Sequence, residues 1–289
     1  RTSLCYEVSD RDGESIASEG IAENAAFIEY ADKQGGDMLK GMFGLHASFT
    51  LSDNTLEKCV SAAGGAGFHV HVAEGIEDLN DSQSKYGKRV VERLSGFGIL
   101  GSRSIAVHCI HIDEHEMDML KQNDTIVVHN PESNMGNAVG YSAAVSMLKK
   151  GILVGLGTDG YTTDMLESLK VANILHKHEL RDPNAAWAEA PQMLFENNAA
   201  ICARYFDSPV GVIKKGALAD IIVVDYQAPT PVTASNYNSH ILFGMMGRNV
   251  ISTMIDGRFI MKDREILTAD EERIYAESRE TARKFWERV

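Results

Sequence analysis

The sequence predicts an α/β fold: a (β/α)8 barrel of the TIM type that lacks about its first two strands, followed by the C-terminal part of a small β-sandwich. Three observations predict it. Apolar runs of strand length alternate with amphipathic helical stretches, which argues for parallel strands joined by crossover helices. The runs are near-continuous in β-branched and aliphatic residues, as in strands covered on both faces. Several of them stop at a His or an Asp, which puts ionisable groups at the C-terminal mouth where barrel enzymes carry their chemistry.

The strands are expected at 2–8, 42–48, 67–73, 104–109, 125–129 and 152–157. Amphipathic helices fill the gaps, at Ile21 to Ala31, Ser52 to Ala63, Asp81 to Leu94, Asp113 to Gln122, Ser142 to Lys149 and Asp164 to Leu180. Ser52 is a plausible cap, and Glu57 lies in the early turns of its helix. Another helix runs from Pro191 to about Phe206. An eight-stranded barrel takes about 250 residues. Six units are two strands too few, and the deficit falls at the N-terminus. A chain that opens at Arg1, without Met and already in a strand, is expected to be a fragment or to have lost its beginning. Its strands 2–8 and 152–157 would then be uncovered edges. Leu153-Val-Gly-Leu-Gly157 has no charge to block edge pairing, so a homo-oligomer, or association with the missing N-terminal segment, is expected.

After the barrel the composition changes. Gly216 to Asp225 and Val250 to Met261 read as short strands, the latter pair joined by an Asp256-Gly257 turn. Thr268-Ala-Asp-Glu271 has the form of a capping box and opens a last helix to about Val289. The expected units are therefore a catalytic partial barrel at 1–207, the C-terminal part of a composite β-sandwich at 208–267, and a terminal helix at 268–289.

With 289 residues, 44% hydrophobic and 24% charged, the chain can bury a sizeable core. A net charge of −13 leaves no electrostatic footprint for nucleic acid or an anionic membrane. The four cysteines are dispersed and form no CxxC, which fits a reducing, cytoplasmic compartment. No apolar stretch reaches membrane-spanning length, and no signal peptide is seen. The expected partner is a small molecule.

The most informative run is Gly67-Phe-His-Val-His71-Val-Ala-Glu74. It reads as a buried strand ending in a metal ligand, with a carboxylate just beyond. On alternation His69 and His71 face one side, with His71 nearer the mouth. His71 and Asp159 are the metal-ligand candidates, since imidazole and carboxylate suit Zn²⁺ first, and also Fe²⁺ or Mn²⁺. Glu74 is the candidate general acid and base, although taken alone it reads first as a solvated loop carboxylate. His108 and His129, each at a strand end, could polarise a carbonyl or orient water. His46 ends another strand and fits a substrate contact. Asn134, in turn-rich Asn130-Pro-Glu-Ser-Asn134, either contacts substrate or holds a loop. His111, His115, His176 and His178 read as structural or solvated.

These residues resemble the amidohydrolase superfamily, in its branch of cytosine-, guanine- and triazine-type aminohydrolases and chlorohydrolases, and within it the selenium-metabolism-associated aminohydrolases. The motifs that carry the resemblance are His71-Val-Ala-Glu74, Val107-His108-Cys109, His129-Asn-Pro-Glu-Ser-Asn134, Gly157-Thr-Asp159-Gly160 and Gly216-Ala-Leu-Ala-Asp220-Ile-Ile-Val-Val-Asp225. The resemblance implies a divalent-metal hydrolase that deaminates, or opens a ring amide of, a purine- or pyrimidine-like heterocycle. It makes His71 a metal ligand, Glu74 the proton shuttle, His108 the group beside the attacked carbon, Asp159 a ligand and base for the hydrolytic water, and His46 a substrate contact. One departure stands out. The family's first strand carries a His-x-His pair, and residues 1–45 contain no His. The 289-residue chain alone is therefore expected to hold metal weakly or not at all and to be inactive. The rival reading is a non-enzymatic remnant that keeps the fold for binding or assembly.

Overall fold

The computed structural model describes residues 1–288. Two short strands, β1 (Thr2–Leu4) and β2 (Leu39–Gly41), pair in parallel. The centre of the molecule is a five-stranded, all-parallel sheet of β3 (Phe43–Ala47), β4 (Phe68–Val72), β5 (Ile105–His108), β6 (Ile126–His129) and β7 (Val154–Leu156), laid side by side in chain order. Helices α1 (Glu14–Gln34), α2 (Asp53–Ala62), α3 (Ile76–Tyr86), α4 (Val90–Gly96), α5 (Glu114–Gln122), α6 (Pro131–Gly136), α7 (Ala144–Lys150) and α8 (Met165–Leu180) lie between and after the strands. The sheet is covered because its strands are apolar. Leu45, Val70, Val72, Ala106, Val127 and Val154 are buried with Leu56, Leu94, Leu120 and Met147 in one cluster. Each Val, Leu or Met side chain so placed stabilises the fold by about 1.5–3 kcal/mol.

The expected strand 2–8 is split. Its first part is β1, and only Val8 bridges to Leu45 of β3. Asn24 of α1 causes the break. Its Oδ1 accepts from the backbone N–H groups of Tyr6, at 2.9 Å, and of Gly44, at 3.1 Å, while its Nδ2 donates to the Tyr6 carbonyl at 2.9 Å. A buried amide thus replaces one rung of the ladder. The helix expected over 81–94 is two helices, because Gly87 turns left-handed (φ 66°) at the end of α3. Asn130 to Asn134 is not a loop but leads into α6, with Pro131 in its first turn.

The uncovered edge expected at 152–157 is not found. A helical run of α9 (Glu189–Pro191), a π-helical stretch Gln192–Asn197 and α10 (Asn198–Cys202) lies against β7. Asn197 Nδ2 donates to the Val154 carbonyl at 2.7 Å. The Asn198 amide closes a double contact with Leu156, accepting from its N–H at 3.0 Å and donating to its carbonyl at 2.9 Å. Two side chains thereby stand in for a neighbouring strand. Replacing either Asn by Ala is expected to cost about 1–3 kcal/mol, the penalty for stranding a buried backbone group. Chemical denaturation measures it, and an unchanged midpoint would show that the edge needs no cover.

The C-terminal part holds an antiparallel sheet of β8 (Ile221–Val224), β9 (Val250–Ile255), β10 (Arg258–Lys262) and β11 (Glu265–Ile266), with β8 and β11 outermost. Helix α11 (Tyr237–Gly244) precedes β9. The turn between β9 and β10 is Asp256-Gly257, as expected from the sequence. Arg1 ties this sheet to the start of the chain, donating to Asp220 at 2.7 Å and Asp256 at 2.9 Å. The last helix, α12 (Glu271–Trp286), is capped by Asp270, whose carboxylate accepts from the N–H of Arg273, and not by Thr268. Among the described residues no helix is long and apolar enough to cross a membrane.

Candidate active site

The parallel register brings the strand ends level. His71 lies beside Val107, and Val72 beside His108. The rings of His46, His71 and His108 consequently form a row, with centroids 5.5 Å apart at each step. In β4 the pattern alternates: Phe68, Val70 and Val72 are buried, and half-buried His69 and His71 share the opposite face. The turns beyond the strands supply carboxylates. His108 Nε2 lies 3.7 Å from Glu74 Oε2 and 3.8 Å from Asp159 Oδ2. Four residues singled out in the sequence, His71, Glu74, His108 and Asp159, thus meet at one place. His46 joins the row from β3, and its Nδ1 lies 2.7 Å from Thr50 Oγ1.

Unusual backbone aims these groups. Ala73, His108, Cys109 and Asp159 all have positive φ, between 46° and 69°. Left-handed non-glycine residues cost on the order of 1–3 kcal/mol each, and they persist where surrounding contacts over-determine them. Ala73, His108 and Cys109 sit at or directly after a C-terminal strand end and Asp159 three residues beyond β7, so part of the backbone strain lies at the mouth of the sheet.

Asp159 is held in place by Ser133, whose hydroxyl donates to Oδ2 at 2.6 Å, and by the N–H of Gly160, which donates to Oδ1 at 2.6 Å. Partial burial opposes its ionisation. The hydrogen bond from Ser133 and that from Gly160, with the nearby imidazoles, outweigh burial and keep the carboxyl below its ordinary value. The carboxylate is therefore available as an acceptor at neutral pH. Glu74 takes a long hydrogen bond from Asn137 Nδ2, at 3.4 Å. His71 is shifted down, first by burial and then by His108, which favours the neutral imidazole that ligates metals.

His129 and Asn134 have no exposed surface, so neither lines the opening. Asn134 Oδ1 lies 2.7 Å from His108 Nδ1. A carbonyl oxygen only accepts, so Nδ1 carries the hydrogen and Nε2 faces the two carboxylates. His129 packs against His176, ring centroids 5.2 Å apart, and His176 Nδ1 lies 2.9 Å from the Tyr141 hydroxyl. His176 is structural, as expected, but fully buried. His111 is tied down through the Val139 carbonyl, and His115 and His178 are exposed. The opening itself, about 240 Å³, is lined by His46, His71, Glu74, Asp78, Phe49 and Asn137 among others. That is below the range of about 300–1,000 Å³ usual for drug-sized ligands. Ser133, Asn137, Asp78 and Thr50 were not singled out from the sequence. Ser133 alone had a signal, its place between His129 and Asn134 in one motif.

The buried imidazoles set an acid limit on stability. Burial lowers His69 and His176 to about 4 and takes His129 well below its ordinary value. An unfolded His titrates near pH 6.5. Between pH 6.5 and 4 the unfolded chain binds protons that the folded chain refuses, so stability falls as pH falls through that window. Each group lowered to about 4 contributes about 3 kcal/mol of that loss once the pH is below 4. Melting temperatures across the window are expected to show it, with a shallower slope in His176→Asn. Equal slopes in the two proteins would assign the acid limit to other groups.

The donor types suit a divalent metal: imidazole nitrogen at His71, carboxylate oxygen at Asp159. Among the described residues no group of three or more His, Cys, Asp or Glu is arranged to hold an ion, so the donors fit in kind and fall short in number.

Three comparisons bear on this geometry. The model of the amidohydrolase family matches residues 2–260. A 5-methylthioadenosine/S-adenosylhomocysteine deaminase of Pelotomaculum thermopropionicum is 32% identical over 274 residues, 93% of this chain and 63% of that protein. A 5'-deoxyadenosine deaminase of Methanosarcina acetivorans is 32% identical over 98% of this chain and 66% of its own length. Among solved structures, an adenosine deaminase from Xanthomonas campestris with bound zinc superposes with a TM-score of 0.86 at 25% identity, covering 98% of this chain and 66% of that one. The chain spans about two thirds of the length of these relatives.

Proposed function

Because the chain belongs to the amidohydrolase family, we propose that it carries the site of a metal-dependent hydrolase that removes the amino group from a purine ring, with 6-aminopurine nucleosides as the substrate class. The observation that carries this reading is His108 Nε2 set between two carboxylates, 3.7 Å from Glu74 and 3.8 Å from Asp159, beside the His71 ring. Hydrolytic deamination needs a base for the attacking water, an acid for the leaving amine and a partner for the charge that develops on oxygen. Asp159, held ionised by Ser133, takes a proton from the water as its oxygen adds to the amino-bearing carbon. Glu74 gives a proton to the ring nitrogen and regains one from the added hydroxyl as the carbon–nitrogen bond breaks, while Asp159 passes the proton taken from the water to the departing amine, which leaves as ammonia. His108, its Nδ1 hydrogen committed to Asn134, stabilises the new oxygen by donating from Nε2, which requires a second hydrogen there, held between Glu74 and Asp159. His46 faces the substrate from the next strand. Asn134 supports His108 from behind, and His129 packs against His176 beneath the opening.

His71 and Asp159 are the residues that would hold a divalent metal, Zn²⁺ before Fe²⁺ or Mn²⁺, whose chemistry there is to acidify the attacking water. The zinc in the Xanthomonas campestris structure supports that preference. Residues 1–207 form the catalytic unit in this reading, 208–267 the C-terminal part of a composite β-sandwich and 268–289 a terminal helix. The names of the relatives support a nucleoside bearing a modified 5′ position. The test, on a protein that spans the full length of the relatives, is ammonia release, with the accompanying ultraviolet change, from a panel of aminopurine nucleosides, free bases, aminopyrimidines and triazines. Turnover confined to the nucleosides is expected. Turnover of phosphoesters or peptides only would overturn the reading.

A further inference from the structure

A buried carboxylate next to this site has no part in the chemistry above. Asp78 lies in the first turn of α3 and is 2% exposed. A carboxylate in a first turn often serves only the helix N-terminus. Asp78 does otherwise, because both of its oxygens accept hydrogen bonds from backbone outside the helix. Oδ2 accepts from the N–H of Ala73 at 2.9 Å, and Oδ1 from the N–H of Phe49 at 2.9 Å.

One N–H group belongs to the turn that leads into Glu74, the other to the turn that holds His46 at the end of β3. Ala73 immediately precedes Glu74 and has φ 46°, a conformation an alanine keeps only when held. Its carbonyl is held as well, accepting from the N–H groups of His111 at 2.9 Å and Ile110 at 3.2 Å. Phe49 is the middle residue of the short helical turn Ser48–Thr50 that follows β3. Thr50 of that turn, through Oγ1, is the partner of His46 Nδ1 at 2.7 Å. One side chain therefore links the turn that aims Glu74 to the turn that aims His46.

We propose that Asp78 is a positioning residue: its two oxygens fix the Glu74 turn against the His46 turn and so set where the proton shuttle stands relative to the substrate. The proposal rests on the role given to Glu74 under the proposed function. Asp78→Asn replaces one acceptor oxygen with an NH₂ group that meets a backbone N–H head-on. In the full chain, amide hydrogen exchange at Ala73 or Phe49 is expected to quicken by about tenfold or more, and kcat on the best nucleoside of the panel to fall by about 10- to 100-fold with KM nearly constant, the size seen when a residue that orients a catalytic group is removed. Asp78→Glu keeps both acceptors on a longer stem and is expected to recover part of the kcat. It also carries the same readouts if the Asn variant fails to fold. Exchange at both amides unchanged from the parent would overturn the proposal, as would a kcat within about twofold of it. The exchange arm needs no turnover. In a protein of the relatives' full length, a parent that releases no ammonia would count against the proposed function, while unchanged exchange counts against Asp78 alone.

Discussion

In a protein that spans the full length of the relatives, Glu74→Gln is expected to lower turnover by about 10²- to 10⁴-fold, the usual contribution of a general acid–base group. The substitution keeps the size of the side chain and its hydrogen-bond reach to Asn137, now 3.4 Å away, but removes the proton that has to move. Glu74 is partly exposed and, among the described residues, makes no ion pair other than its approach to His108. Folding should therefore be little affected, and metal content should be retained. Steady-state kinetics with elemental analysis of the same samples checks both halves. Turnover within about threefold of the parent would return Glu74 to a solvated loop carboxylate and remove the proton shuttle from the account.

Asp159→Asn is expected to have an effect at least as large, and of a different kind. In the proposed function the residue is both the base for the attacking water and one of two named metal ligands. An amide cannot take the proton, and it ligates a divalent cation more weakly than a carboxylate. Turnover should fall by at least about 10²-fold, and metal affinity should fall with it. The Ser133 hydroxyl, which donates to Oδ2 at 2.6 Å, retains an amide oxygen as acceptor, so the left-handed turn at Asp159 should survive. Competition with a chelating dye measures the affinity. Lost turnover with unaltered metal affinity would make Asp159 a base only and require another ligand beside His71.

The sheet was legible in the sequence because each strand is a β-branched run bounded by polar residues, and Ile105-Ala-Val-His108 and Ile126-Val-Val-His129 lie within a residue of their expected limits. The site was legible for the same reason. A parallel sheet aligns its C-terminal strand ends, so a His or Asp there must meet its neighbours. What was illegible depends on single side chains satisfying backbone at a distance. Asn24 splits the first strand, and Asn197 and Asn198 cover β7; an isolated Asn in a helix gives no sign of this. Asp78 and Asn137 were missed because their partners depend on left-handed turns such as that at Ala73, which presents its N–H to Asp78 and places Glu74 within reach of Asn137. Those turns occur at non-glycine residues, where the sequence carries no mark of positive φ. The break in the helix over 81–94 is different, since Gly87 was there to be read.

The central claim is that water is added to an amino-bearing purine carbon at the cluster of His71, Glu74, His108 and Asp159. Turnover of 5'-deoxyadenosine in ¹⁸O-labelled water, followed by mass spectrometry of the nucleoside product, tests it most directly. The account expects release of ammonia and an oxo product that carries one labelled oxygen, with both signals lost together in Glu74→Gln. A product without label, or labelled product formed at the parent rate by the Glu74→Gln protein, would contradict it.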